Sequence, residues 1–272
     1  MRIDTHIFQI ILIGLIFVPL FSFLNLSSNI IFLIFFGLFC GAIYPDTDCK
    51  ESRIFKMKQD NQKIGWQKTY KEYRAKKNAQ NIHNLFLFIY SSILIILGYF
   101  FRFILYYPSY IIIYLINKRY VKAYSVQDEH RGISHTLLGI FVASILFFIL
   151  FFFANLYFKI TLTQLLIIPF LSFFVAANIH LTQDSISKYG IKWFYPFRNT
   201  IISGNYSAFK DDFRITYLSL SLIFVVLLNY FLSNYIMVGL QSLSFILILL
   251  PFLFIFLIFY VLFKSCDVKI SS

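Results

Sequence analysis

Side chains able to ligate a metal gather in four short segments of an otherwise apolar chain: THI with His6, YPDTD with Asp46 and Asp48, EHRGISHT with His130 and His135, and IHLTQD with His180 and Asp184. Neutral imidazole and carboxylate together suit Zn, Mn or Fe at about 2.0–2.2 Å. His180 and Asp184 are four residues apart, so a helix running through both toward Gly190 presents them on one face. Without an ion they would form an ordinary helix-end pair, hydrogen-bonded to neighbours. Asp46 and Asp48 follow Pro45, which favours a turn. Both carboxylates can converge on one cation, each can serve a different ion, or the turn simply caps the helix exit.

The stretch QDEHRGISHTLLG, residues 127–139, crowds Asp128, Glu129, His130, Arg131 and His135 at the entrance to a long apolar run. Gly132 permits a sharp bend, and Ser134 is the expected N-cap of the helix that follows, with His135 in its first turn. An imidazole beside a positive helix N-terminus is favoured in the neutral form that a metal requires. Arg131 cannot ligate a cation, but its planar fork can hold a phosphate or carboxylate. The competing reading is a basic interfacial turn. His6 alone would be interfacial decoration ahead of a membrane helix, and His83, with no acidic companion, is left out of the site.

The elements that must position these groups are membrane helices. Of the 272 residues, 59% are hydrophobic and 13% charged, and the mean hydropathy is +0.75; one soluble core cannot enclose so much apolar surface. Crossing about 30 Å of hydrocarbon takes roughly 20 residues. Such runs lie at 7–24, 84–105, 136–158, 162–180, 215–233 and 240–263, with shorter ones at 29–44 and 106–117. The last contains Tyr106, Tyr107 and Pro108 and reads as a bent, re-entrant or interfacial piece. The first run is too long for a signal-peptide core and reads as a retained helix. Cys40, Cys49 and Cys266 lack metal-finger spacing and read as free thiols in a reducing compartment. The expected fold is an all-α polytopic membrane bundle of about eight hydrophobic segments, one integral-membrane domain over 1–272 with a basic insert at 45–83 and a C-terminal helical hairpin at 215–263.

Charge placement predicts the orientation. If all eight runs cross, 22 of the 24 Lys and Arg share one face, with Arg102 and Lys159 opposite. The positive-inside rule assigns that face, both termini and the clustered ligands to the cytoplasmic side of a plasma (inner) membrane. The insert carries ten Lys and Arg against five Asp and Glu. Its later part, 60–81, is helix-compatible, with Trp66, Tyr70 and Tyr73 on one face. It is either an amphipathic helix on anionic lipid or a solvated loop that fixes topology. Nothing indicates a nucleic-acid partner.

In combination, TH near the N-terminus, GAIYPDTD, HRGISHT and HLTQDSISKYGIKWFYPF resemble the YdjM-like family of membrane-bound metal-dependent hydrolases, itself distantly similar to the zinc-dependent phospholipase C and P1 nuclease group. The matching segments span most of the first 200 residues in the expected order. The resemblance implies His6, Asp46, His135, His180 and Asp184 as direct metal ligands, with Asp48 and His130 as ligands or as partners behind them. Ser134-His135-Thr136 stands where the family usually has Thr-His-Ser, and Ser187 where it has Thr; each swap keeps a hydroxyl. The 45–83 insert is longer than the family pattern leads one to expect, and the hairpin at 215–263 lies beyond the motifs.

The expected function is therefore a cytoplasm-facing hydrolase of a phosphoester in a phospholipid, lipid phosphate or lipid-linked molecule. A divalent ion, Zn before Mn, Fe or Mg, would polarise the phosphoryl oxygen and acidify water. Asp48 or Glu129 would accept the proton, and Arg131 with Arg198 would hold the anion. The alternatives are a divalent-metal transporter or sensor, and a non-enzymatic structural membrane protein. HExxH, GxSxG and P-loop motifs are absent, which disfavours zinc proteases, serine hydrolases and P-loop enzymes.

Overall fold

The computed structural model describes residues 3–48, 57–59, 62–64, 82–116, 132–158, 166–198, 200–207, 213–239 and 244–271. Helices dominate. α1 spans Ile3–Ile16 with Asp4 in its first turn, where a carboxylate complements the helix dipole. α2 spans Val18–Phe23 and α3 Ser28–Ile43. α3 passes into a 3-10 turn, Tyr44–Thr47, because Pro45 has no N–H to continue the α-helical ladder. α4 (Ile82–Phe101), a π turn (Arg102–Tyr106) and α5 (Tyr107–Ile116) are continuous. A second 3-10 turn, Ile133–His135, precedes α6 (Leu137–Phe158). α7 spans Ile167–Ser185, α8 Phe213–Gly239 and α9 Ser244–Ser265.

Among the described residues, five helical stretches are long and apolar enough to cross a membrane: Asp4–Phe23, Ser28–Thr47, Ser92–Ile116, Leu137–Tyr157 and Phe213–Ser233. α9 contributes a shorter apolar stretch, Leu249–Ser265. α7 is not among them, because its last two turns carry Asn178, His180, Thr182, Gln183, Asp184 and Ser185. The molecule is an all-α membrane bundle, and the residues that could do chemistry are what cost α7 its hydropathy.

Among the described residues, the most extensive helix pairing is α3 on α7. A Cβ added to Gly41 would stand 2.2 Å from the Phe173 carbonyl oxygen, and one on Gly37 would stand 2.6 Å from that of Pro169. Only glycine permits this approach, in the manner of small-residue seams between membrane helices. Beside the seam, Tyr44, Phe147 and Phe173 form a buried core, with the Phe147 and Phe173 rings stacked 4.6 Å apart. A second cluster joins α1, α8 and α9 through Leu12, Ile13, Ile16, Leu218, Leu222, Val225 and Leu262.

Three local expectations are corrected. The runs at 84–105 and 106–117 are one helix rather than two segments. The wide π turn, closed by the Tyr107 N–H on the Arg102 carbonyl, lets Pro108 enter without ending it. This helix meets Asp4 through the Tyr90 hydroxyl, at 3.3 Å, then the Tyr44–Thr47 turn at its middle, then the entrance to α6, where Ile113 clusters with Ile133 and Val142. All three contacts lie at one end of the bundle, so the helix runs across that end, and Arg102 sits at that level rather than on the opposite face. Second, α7 ends at Ser185, short of Gly190; the loop beyond turns back, with Gly190 at φ 58°. Third, Gln62–Ile64 pairs antiparallel with Met57–Gln59 (β2 with β1), so the helix-compatible stretch 60–81 does not begin as a helix. Its remainder, with Trp66, Tyr70 and Tyr73, lies outside the described residues. β3 (Ile201–Ser203) and β4 (Lys269–Ser271) form a second antiparallel pair, tying the C-terminal tail to the loop after α7.

Candidate metal centre

Four chain segments bring their polar residues to the end of the bundle that the long helix crosses. α1 supplies His6 from its first turns, and the turn after α3 supplies Asp46 and Asp48. The turn before α6 supplies His135, and the last turns of α7 supply His180 and Asp184. All six side chains are buried. Buried charges of this number are tolerated only when paired with one another or with an ion.

Asp184 is the hub. One of its oxygens lies 3.3 Å from His6 Nε2. The other lies 3.3 Å from His135 Nε2 and 3.7 Å from His180 Nε2. Asp46 approaches His180 Nε2 from the α3 side, at 3.9 Å. The His6 and His180 rings stack at 3.8 Å, and His135 stands edge-on to His180 at 5.8 Å.

The far side of each imidazole is committed. His180 Nδ1 donates to the Ala42 carbonyl at 2.8 Å, so its Nε2 carries the lone pair; that atom is buried without a hydrogen-bond partner. His135 Nδ1 faces Asp48 at 3.1 Å. The same Asp48 oxygen accepts the Gly132 N–H at 2.8 Å. His6 Nδ1 lies 2.5 Å from Gln183 Oε1. Three Nε2 atoms are thereby aimed at carboxylate oxygens, and at His180 lone pair faces lone pair, which is unfavourable unless a cation stands between them.

The spacing fits one. Two atoms bound tetrahedrally at 2.0–2.2 Å lie about 3.4 Å apart, within the 3.3 to 3.9 Å measured here. Two overlapping groups, His6 with His180 and Asp184, and Asp46 with His135 and His180, each bring one ligand atom per residue within 4.8 Å of the others. Burial disfavours a charged His135, but the carboxylates of Asp48 and Asp184 more than offset this and push its pKa up to about 9. A cation entering near neutrality would displace that proton.

The helix boundaries explain how these residues arrive. Thr136, not Ser134, caps α6: it is extended (φ −124°, ψ 152°), and its Oγ1 accepts the Gly139 N–H at 2.9 Å. His135 therefore stays outside the helix, free to face Asp184. Ser134 instead donates to the Pro45 carbonyl at 2.8 Å, tying the two 3-10 turns together. The loop after α7 holds the same corner, with the Trp193 indole donating to Ser185 at 2.7 Å and its carbonyl accepting the Leu137 N–H at 2.9 Å.

Of the residues singled out from sequence, His6, Asp46, Asp48, His135, His180 and Asp184 converge. Glu129, His130 and Arg131 lie outside the described residues. Arg198 is exposed on the loop after α7, and its backbone N–H closes a turn on Phe194 at 3.0 Å. Sequence reasoning missed Gln9 and Gln183, both fully buried behind the cluster. Gln9 sits at i+3 from His6 and Gln183 at i+3 from His180, so each shares a helix face with a ligand candidate; a buried amide at that spacing was the available signal. No curated protein and no solved structure matches the chain. The family model described as YdjM inner membrane protein matches residues 1–265, and the chain belongs to that family.

Proposed function

We propose that this protein is a membrane-embedded, metal-dependent hydrolase that cleaves a phosphoester of a lipid or lipid-linked substrate at the cytoplasmic face. The observation that carries the reading is the ring of His6, His135 and His180 Nε2 atoms around Asp184, with His180 Nε2 buried and unpartnered. Those four residues and Asp46 would hold a divalent cation. Three imidazoles with carboxylates suit Zn best, ahead of Mn, Fe or Mg. When bound, the ion supplies Lewis acidity toward a phosphoryl oxygen and acidifies water.

The chain's own groups divide the remaining work. Asp48 accepts from Gly132 and faces His135 Nδ1, which keeps the His135 lone pair turned inward. By their chemistry, the planar guanidinium of Arg131 is assigned to the substrate's anionic group and the Glu129 carboxylate to the proton. The helix across the site end supports a lipid substrate: Ile93, Ile96, Phe100, Phe103 and Leu115 are exposed along it, an outer surface suited to acyl chains rather than water. Ligands grouped at helix ends argue against a conduit, which places such groups near the bilayer midplane. The excess of Lys and Arg in the connecting segments supports the cytoplasmic orientation.

The test is metal content of the gently purified protein, joined to hydrolysis of a panel of phospholipids and lipid phosphates with Zn, Mn or Mg. Wild type should carry metal and turn over at least one lipid phosphoester, and His180→Ala should lose both. Metal without turnover on any member of the panel would favour a sensor or transporter. Wild type free of metal and unable to take any up would remove the reading altogether.

A further inference from the structure

Behind His6 runs a chain of buried amides that reaches α8. Gln183 Nε2 donates to Gln9 Oε1 at 2.9 Å. Gln9 Nε2 in turn donates to Ser219 Oγ at 2.9 Å and faces the Ile215 carbonyl at 3.5 Å. Ser219 spends its own proton on that same Ile215 carbonyl, at 3.1 Å. A helix carbonyl only accepts, and a hydroxyl whose proton is used can only accept further. The direction of every bond in the chain follows from that anchor. The Gln9 amide must turn its NH2 toward α8 and its oxygen toward Gln183; Gln183 must turn its NH2 toward Gln9 and its oxygen toward His6. An oxygen at 2.5 Å from His6 Nδ1 requires that nitrogen to carry the hydrogen, which leaves the lone pair on Nε2, facing Asp184.

We propose that Gln183, Gln9 and Ser219 are positioning residues that fix the tautomer of His6, so that α8, outside the motif segments, sets the metal affinity of the centre. This rests on the metal-centre reading above. Among the described residues, the hydrogen bonds of the relay reach a ligand candidate at His6, through Gln183. A reversed amide at Gln183 would aim NH2 at Nδ1, drive the hydrogen to Nε2 and remove His6 as a ligand. Groups behind a metal-bound imidazole characteristically alter affinity by about 10–100-fold when removed.

The experiment titrates Co²⁺ into the purified full-length protein, following the visible absorption of the bound ion. Gln183→Met keeps length and loses the acceptor, and Co²⁺ affinity should fall about 10–100-fold. Gln183→Glu restores an acceptor to His6 and, buried and protonated, donates its hydroxyl to Gln9 Oε1, so it should recover most of that affinity. Gln9→Met, remote from the ion, should weaken binding by a smaller factor. Wild type that develops no Co²⁺ absorption would overturn the metal centre itself. Wild type that binds, with both Met variants binding equally well, would overturn the relay alone, as would a Gln183→Glu variant as weak as Gln183→Met. Should the Met variants fail to fold, ¹⁵N NMR of the histidine side chains in metal-free wild type, with His6 assigned by its loss in His6→Gln, decides the matter. The Nδ1–H form supports the proposal, and the Nε2–H form refutes it.

Discussion

Asp184 carries more of the centre than any other residue, because its two oxygens face all three imidazoles. Asp184→Asn preserves volume but replaces one oxygen with an NH2, which offers no lone pair to a cation and removes the negative charge. Metal affinity should fall by more than the about 10–100-fold expected for groups behind the ligands, read as loss of bound metal in elemental analysis of matched preparations. His180 sets the stoichiometry. Its Nδ1 is spent on Ala42, so both overlapping ligand groups draw on the same Nε2 lone pair, and one lone pair binds one ion. The expected ratio is one metal per chain. Two tightly held ions per chain in a titration would require Asp184 to bridge and would break this count.

At the scale of the element, the glycine seam between α3 and α7 holds His180 against Ala42 and brings Asp46 over it. Gly41→Ala inserts a methyl 2.2 Å from the Phe173 carbonyl, so the two helices must separate. Overpacking of this kind costs about 1–3 kcal/mol. The variant should melt at lower temperature in detergent and lose metal affinity although no ligand is altered; unchanged affinity would mean that the seam does not position the site. Thr136→Ala removes the N-cap of α6 and should cost about 1 kcal/mol, with Thr136→Ser restoring it. These elements differ in how openly the sequence declares them. Runs of hydrocarbon length announce α1, α6 and α8, a shorter run marks α3, and the spacing of four places His180 and Asp184 on one face whatever the exact helix end. Ser134 against Thr136 was not decidable, since either hydroxyl can cap and only the competing Pro45 carbonyl chooses between them. Pro108 read as the mark of a bent, re-entrant or interfacial piece because a π turn has no composition signature. Gln9 and Gln183 were passed over because an amide is neither a ligand nor a charge, and its role exists only once α1, α7 and α8 are packed.

At the scale of the whole molecule, the helix from Ile82 to Ile116 alters the path of the chain without altering which side its neighbours occupy. Two crossings at 84–105 and 106–117 would return the chain to the starting face. A single helix lying across the site end, touching Asp4 near its start and the entrance to α6 near its finish, does the same with no crossing. One transverse span would instead put Lys118, Arg119 and Lys122 on the far side, against the charge rule. Accessibility can separate these cases. Single cysteines introduced at Lys118 and Lys122, in a background where Cys40, Cys49 and Cys266 are replaced, should react with a membrane-impermeant maleimide only when the cytoplasmic face is exposed, as should one at Lys68. Labelling of Lys118→Cys from the outer face in intact cells would make 82–116 a true span and move the basic residues after it away from the metal centre. To tell two crossings from none, a cysteine at exposed Phe103 is informative. Two crossings place Phe103 deep toward the far face, where quenchers held at the outer leaflet reach an attached fluorophore; a helix across the site end keeps the fluorophore at the cytoplasmic interface, quenched from the inner leaflet alone.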